Sequence, residues 1–153
     1  MLVRFSVCVL ACLVLSPLHA AEKAPDLGYD YQAMFLSHMK LVADGKGEEA
    51  VKALETNMVN AEILNADLKD NLKKKFAVMY GTGGKLISHE VVGYKRFTSR
   101  VYRFTAVSHY KKALAVYTFT LVKSVSGEWK ISMYSVTDGF DELEKVTPFV
   151  PIG

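Results

Sequence analysis

Apolar residues fall along this chain in three regimes. From Phe5 to Leu15 they are nearly continuous, broken only by Ser6. Between Tyr31 and Met79 they recur every three to four positions, and from Leu86 to Thr137 they alternate. The second regime predicts helices. Tyr31, Met34, Phe35, His38, Met39 and Val42 sit on one face of a 3.6-residue period. Asp26 or Asp30 can cap this helix and Gly45 ends it. A second, shorter helix begins near Gly47, with Glu48 and Glu49 favourably placed against its N-terminal dipole and Val51, Leu54 and Met58 as its stripe. A third starts at an Asn65 cap with Asp67 in its first turn. Leu68, Leu72, Phe76 and Met79 line it, and Gly81 is its expected stop.

Thr82-Gly83-Gly84 reads as a flexible joint, after which the period drops to 2. Strands are expected over Leu86–Tyr94, Arg100–Tyr110, Ala113–Lys123 and Glu128–Thr137, with a Ser126-Gly127 turn before the last. Short connections make them an antiparallel meander. Asp138 to Lys145 suits a helical turn, and Pro148 and Pro151 mark an irregular tail. The expected fold is therefore α+β: three N-terminal helices packed on a curved four-stranded antiparallel meander. Parity puts Tyr102, Phe104, Ala106, Tyr117, Phe119, Leu121, Trp129, Ile131 and Met133 under the helices. The opposite parity carries Val107, Val116, Thr118, Tyr134 and Val136 among others. That half-apolar outer face fits a partner surface, including a homodimer interface, or an ordinary exposed sheet rich in β-branched residues.

The continuous run at the N-terminus has a different meaning. Arg4 precedes it, and Ser16-Pro17-Leu18-His19-Ala20 breaks it and closes on a small residue, the layout of a secretion signal over residues 1–20. A bilayer span needs ~20 apolar residues, so the run predicts no membrane span. Val9-Leu10-Ala11-Cys12 has the form of a lipidation box, but only eleven residues precede Cys12 and the apolar core continues past it, so a lipid anchor there fits poorly. Cys8 and Cys12 are the only cysteines, so the exported chain would carry no disulfide and no thiolate. These features imply an exported protein, periplasmic or secreted, of bacterial type. Residues 21–28 form a linker, 29–147 a single domain and 148–153 the tail.

The formal charge of +3 hides a pattern. Residues 21–68 carry a net −5, residues 69–130 a net +10 and residues 131–153 a net −3. In the basic middle, Lys95, Arg96, Arg100, Arg103, Lys111 and Lys112 form a candidate patch interleaved with Tyr94, Phe97, Tyr102 and Tyr110. That mixture suits polyanions. Outside the cytoplasm nucleic acid is excluded as the natural target, which leaves anionic lipid, cell-wall polymer or an acidic protein. The competing reading is a solvated face offset by the acidic helices.

Recognisable catalytic constellations are missing from the sequence. Ser37-His38, Ser88-His89 and Ser108-His109 are adjacent pairs, and neighbours on a strand or helix do not face one another. No zinc-type His spacing occurs, so no metal site is expected. Gly81-Thr82-Gly83-Gly84 follows a helix rather than opening one and cannot cradle phosphate as a P-loop does. No cofactor is expected. His38, on the apolar face of the first helix, reads as a core or pocket histidine bonded to a backbone group.

The helix ending at Gly45 before a short second helix, and the segment Gly127-Glu128-Trp129-Lys130-Ile131-Ser132 opening the last strand, resemble the nuclear transport factor 2-like, cone-shaped superfamily. The likeness covers most of residues 29–137 and is to the small exported bacterial members of unknown function. The resemblance implies a cone able to hold a small apolar molecule, lined by Tyr31, Phe35, His38, Tyr102, Phe104, Tyr117, Phe119, Trp129 and Met133, and frequent dimers through the outer sheet face. Isomerase-like members place a carboxylate and phenols inside the cone, which here would fall to Asp30 or Glu90 with Tyr102. The sequence thus favours an exported, non-enzymatic domain that binds a protein or a small apolar ligand. The alternative is a small isomerase- or dehydratase-like enzyme, and an immunity or inhibitor protein against an envelope toxin also fits.

Overall fold

The computed structural model describes residues 25–28, 30–139 and 150–151. The leader, the cleavage site and most of the segment after Asp138 lie outside the described residues. Helix α1 spans Tyr31–Ala43, and the Asp30 carboxylate accepts from the Ala33 N–H at 2.8 Å, satisfying one of the donors a helix start leaves open. Asp26 instead turns the preceding loop by accepting from Gly28 N–H. Helix α2 spans Gly47–Asn57 and α3 spans Ala66–Gly83, capped by Asn65 accepting from Leu68 N–H. A single 3₁₀ turn, Ala61–Ile63, links them.

Four antiparallel strands follow: β1 Leu86–Thr98, β2 Val101–Tyr110, β3 Leu114–Lys123 and β4 Trp129–Asp138. A short β5, Val150–Pro151, pairs with Gly93 and Tyr94 of β1, so the sheet order is β4-β3-β2-β1-β5. The α+β class and the helix-on-sheet arrangement are those expected. Part of the tail is regular rather than irregular, because the edge of β1 offers it backbone partners.

Three local expectations are corrected. Helix α3 does not stop at Gly81 but runs to Gly83, and Gly84, at φ +74°, ends it in the left-handed region. Met58 is buried as expected but lies beyond α2 in extended backbone. There it forms a parallel bridge with Ile131, and Val59 N–H donates to the Ile131 carbonyl at 2.9 Å. Strand β1 passes Tyr94 and reaches Thr98 by carrying three irregularities, in which Ile87, Val92 and Phe97 each have no residue opposite on β2.

A fourth correction matters most. Leu121 faces Ile131 but Thr120 faces Met133, so Ser132 is an extra residue in β4. The bulge reverses side-chain parity beyond it. Met133 therefore points away from the helices and is 57% exposed, whereas Tyr134 and Val136 turn toward them. Tyr134 reaches His38 of α1 as a result.

The core lies between helices and sheet. Phe35 stacks on Phe119 with ring centroids 4.1 Å apart, and Tyr31 lies over Phe104 at 4.4 Å. On the other face Val107, Leu114 and Val116 form a second, separate buried cluster with Val92 packed against it.

Gly83 explains the length of α3. A Cβ there would sit 2.9 Å from Cγ of Tyr110, whereas at Gly81 it would meet nothing within 4 Å. Gly83→Ala is expected to destabilise by about 1–3 kcal/mol through overpacking. Gly81→Ala should stabilise by about 0.5–1 kcal/mol through helix propensity. Urea denaturation of the two variants checks the sign at each position.

Candidate ligand-binding site

Helix α1 carries His38 into the core, where a ring of aromatics surrounds it. Its Nε2 and the Tyr134 hydroxyl are 2.9 Å apart and share a hydrogen bond. Phe76, Tyr117 and Phe119 meet the imidazole edge-on. A phenol from β4 is thus a partner of His38, and the Ala50 backbone, the kind of group expected, lies close to the ring as well. Burial drives the His38 pKa down to about 4, and the nearby Ala50 backbone works weakly the other way.

Beside His38 lie more buried polar atoms. Ser108 Oγ, Tyr110 Oη and Tyr117 Oη are buried and none is in hydrogen-bonding geometry with a partner. The three are near enough to perturb one another, but burial dominates. It raises the pKa of Tyr110, and it raises Tyr117 and Tyr134 further, with the neighbouring phenols adding to the shift. At neutral pH the cluster is therefore an uncharged imidazole and protonated phenols. It can offer hydrogen bonds but holds no charge and no base of ordinary strength.

The surface carries an open cleft. It lies between α3 and the end of β4, has a volume of about 270 Å³, and is lined by Lys74, Lys75, Val78, Met79, Val136, Thr137 and Asp138. Lys75 Nζ spans it to donate to the Val136 carbonyl at 3.3 Å. A recess of about 40 Å³ shares Val78, Met79 and Asp138 with the cleft and adds Thr82, Tyr110 and Leu114 to its walls. Tyr110 thus lines the recess while its own hydroxyl is buried.

The residues expected to line a pocket are placed differently. Tyr31, Phe35, Phe104, Tyr117 and Phe119 fill the space between helices and sheet by packing on one another. Tyr102 packs edge-on against the half-buried Trp129 at 5.6 Å, and Met133 is on the other face. Among the alternative catalytic residues, the Asp30 carboxylate is exposed and occupied as a helix cap. Glu90 is exposed on the outer face, 3.1 Å from His109. Tyr102 faces inward, so the structure does not gather this trio. The basic patch is split: Lys95, Arg96, Arg100 and Arg103 belong to one end of the sheet, and Lys111 and Lys112 to the β2–β3 turn at the other. No group of three metal-ligating side chains occurs among the described residues.

Ser108 and Tyr110 were legible, since they continue the inward parity of Tyr102, Phe104 and Ala106. Tyr134 was not, because its direction depends on the Ser132 bulge.

The depressed His38 pKa fixes a pH dependence. The unfolded ring titrates near 6.5 and the folded one at about 4, so between these values the unfolded chain binds more protons. The stabilisation is full above pH 6.5 and is lost as pH falls toward 4. The span corresponds to about 3 kcal/mol. His38→Gln should remove this share of the slope of stability against pH, as read by urea unfolding at pH 4.5 and pH 7.

No protein-family model, no curated protein and no solved structure matches the chain, so its function is argued from this geometry.

Proposed function

We propose that this domain, exported by its leader, binds small apolar molecules bearing an anionic head in the cleft between α3 and β4. The observation that carries the reading is the composition of that cleft. Val78, Met79 and Val136 supply apolar walls, and Lys74 and Lys75 stand beside them. Neither lysine has a carboxylate within 4 Å among the described residues. An aliphatic chain against the walls would leave water, and a carboxylate or sulfonate head would meet the ammonium groups.

Binding is favoured over catalysis on chemical grounds. Proton abstraction needs a base whose pKa lies near the working pH. The imidazole is driven well below it and the phenols well above it by the same burial. Asp138, the cleft's carboxylate, is exposed and solvated at its edge. The cone-shaped superfamily suggested by the sequence accommodates such a binding role without requiring one.

Octanoate and octanol separate the two parts of the recognition. Titration calorimetry should show octanoate binding at least tenfold more tightly than octanol, with Lys74→Glu/Lys75→Glu removing the difference. Val78→Asp, at a position already 59% exposed, should weaken both ligands by about tenfold while leaving the thermal midpoint unchanged. Equal affinity for octanoate and octanol, or binding indifferent to Val78→Asp, would show that the cleft is not the site.

A further inference from the structure

At the end of the sheet remote from the cleft, the β1–β2 and β3–β4 turns lie side by side. Arg100 joins them, its guanidinium donating to the carbonyls of Lys123 at 2.9 Å and Ser124 at 2.7 Å. Two apolar side chains project here. Val125 is fully exposed at the tip of the β3–β4 turn, and Phe97 is 46% exposed. Phe97 is the residue left without a partner by the last irregularity of β1, which keeps it out of the ladder.

Around these two side chains the charge is predominantly positive, with Glu128 the acid in the β3–β4 turn. Lys95, Arg96, Arg100, Arg103, Lys123 and Lys130 belong to this end, and none has a carboxylate within 4 Å among the described residues. Lys95 and Arg103 pair across β1 and β2 and both lie over the Phe97 ring, at 5.4 and 5.0 Å from its centroid. Glu128 is the only acid between residues 91 and 137. Leu27 and Gly28 share a surface hollow with Gly127, Glu128, Trp129 and Lys130, which puts Asp26 and Asp30 on the helix side of this end. The outer side is left to Lys95, Phe97 and Arg103.

We propose that this end of the sheet docks peripherally on an anionic phospholipid bilayer. Cations alone would fit any polyanion. The argument for a bilayer is the pair of exposed apolar side chains held at the same end by Arg100, since a soluble polyanion offers nothing apolar to receive them. A lipid surface offers both layers in the required order, phosphates outside and acyl chains beneath. Lysine and arginine stems can run along the interface with their heads at the phosphates while Phe97 and Val125 enter between headgroups. Each basic residue near such a surface adds roughly fivefold to partitioning. The whole is screened by salt.

Co-sedimentation of the full chain with vesicles tests this. All variants keep residues 1–20, so that segment contributes equally throughout. Vesicles containing phosphatidylglycerol should retain the protein, and pure phosphatidylcholine should not. Lys95→Glu/Arg103→Glu should reduce retention by at least about twentyfold. Phe97→Ser/Val125→Ser should reduce it by about tenfold. Val125→Ser alone, at a turn position with no contacts to lose, should reduce it severalfold and carries the test should the double variant be less stable. Equal retention on both vesicle types, or none on either, overturns the proposal. So does polyphosphate binding as tight as vesicle binding with Phe97→Ser/Val125→Ser unaffected, which would make the surface a polyanion site. Octanoate binding in the distant cleft reads out separately, so failure of one proposal leaves the other standing.

Discussion

Phe35 of α1 lies nearly flat on Phe119 of β3, 4.1 Å apart at an interplanar angle of 16°, and both are fully buried. The domain is built around keeping that contact dry. Tyr31 and Phe104 extend the stack on one side, and His38, Tyr134 and Phe76 close it on the other. Large aromatic side chains of this kind contribute both buried area and geometric preference for particular ring angles. They fix how α1 crosses the sheet, and with it where α2 and α3 can sit. The cleft between α3 and β4 follows from this arrangement. Helix α3 lies beside β4, where Lys75 donates to the Val136 carbonyl, and its C-terminal Gly83 packs on the Tyr110 ring of β2.

The same packing sets the electrostatics of the interior. An imidazole placed among rings cannot keep a charge, and its one strong hydrogen bond goes to a phenol that is itself too buried to ionise. The cluster running from His38 through Tyr134 and Tyr117 to Tyr110 and Ser108 is therefore neutral and rich in donors. The Tyr110, Tyr117 and Ser108 hydroxyls lie beside one another, so small rotations would let them pair and avoid the cost of burying an unsatisfied hydroxyl. Of the residues that carry them, Tyr110 also lines the small recess that shares Val78, Met79 and Asp138 with the α3–β4 cleft.

Much of this was legible in the residues. The caps Asp30 and Asn65, the stripe Tyr31-Phe35-His38-Met39-Val42 and the alternation in β2 and β3 are local signals, and local signals survive tertiary context when they agree with it. What was not legible depends on partners distant in sequence. Nothing in Ile131-Ser132-Met133-Tyr134 marks Ser132 as an extra residue. Only the pairing of β3 with β4 makes it one, and that single residue moved Met133 outward and brought Tyr134 to His38. Gly83 read as part of a joint because its reason for being glycine, the ring of Tyr110, lies 27 residues further along the chain. The basic residues between Lys95 and Lys112 read as one patch because sequence proximity hides that β2 carries them to opposite ends of a ten-residue strand.

That separation of the basic residues bears on how the molecule works. A strand of ten residues spans roughly 33 Å. The turn that carries Lys111 and Lys112 thus stands about that far from the end that carries Arg100 and Phe97, and the α3–β4 cleft opens near the former, where Asp138 pairs with Ala115. At physiological ionic strength charges that far apart are screened from one another, since the Debye length is about 8 Å. A negatively charged surface met by Lys95, Arg100 and Arg103 would therefore leave the field at Lys74 and Lys75 unchanged. A domain resting on its β1–β2 and β3–β4 turns would hold the cleft away from that surface and open to solvent.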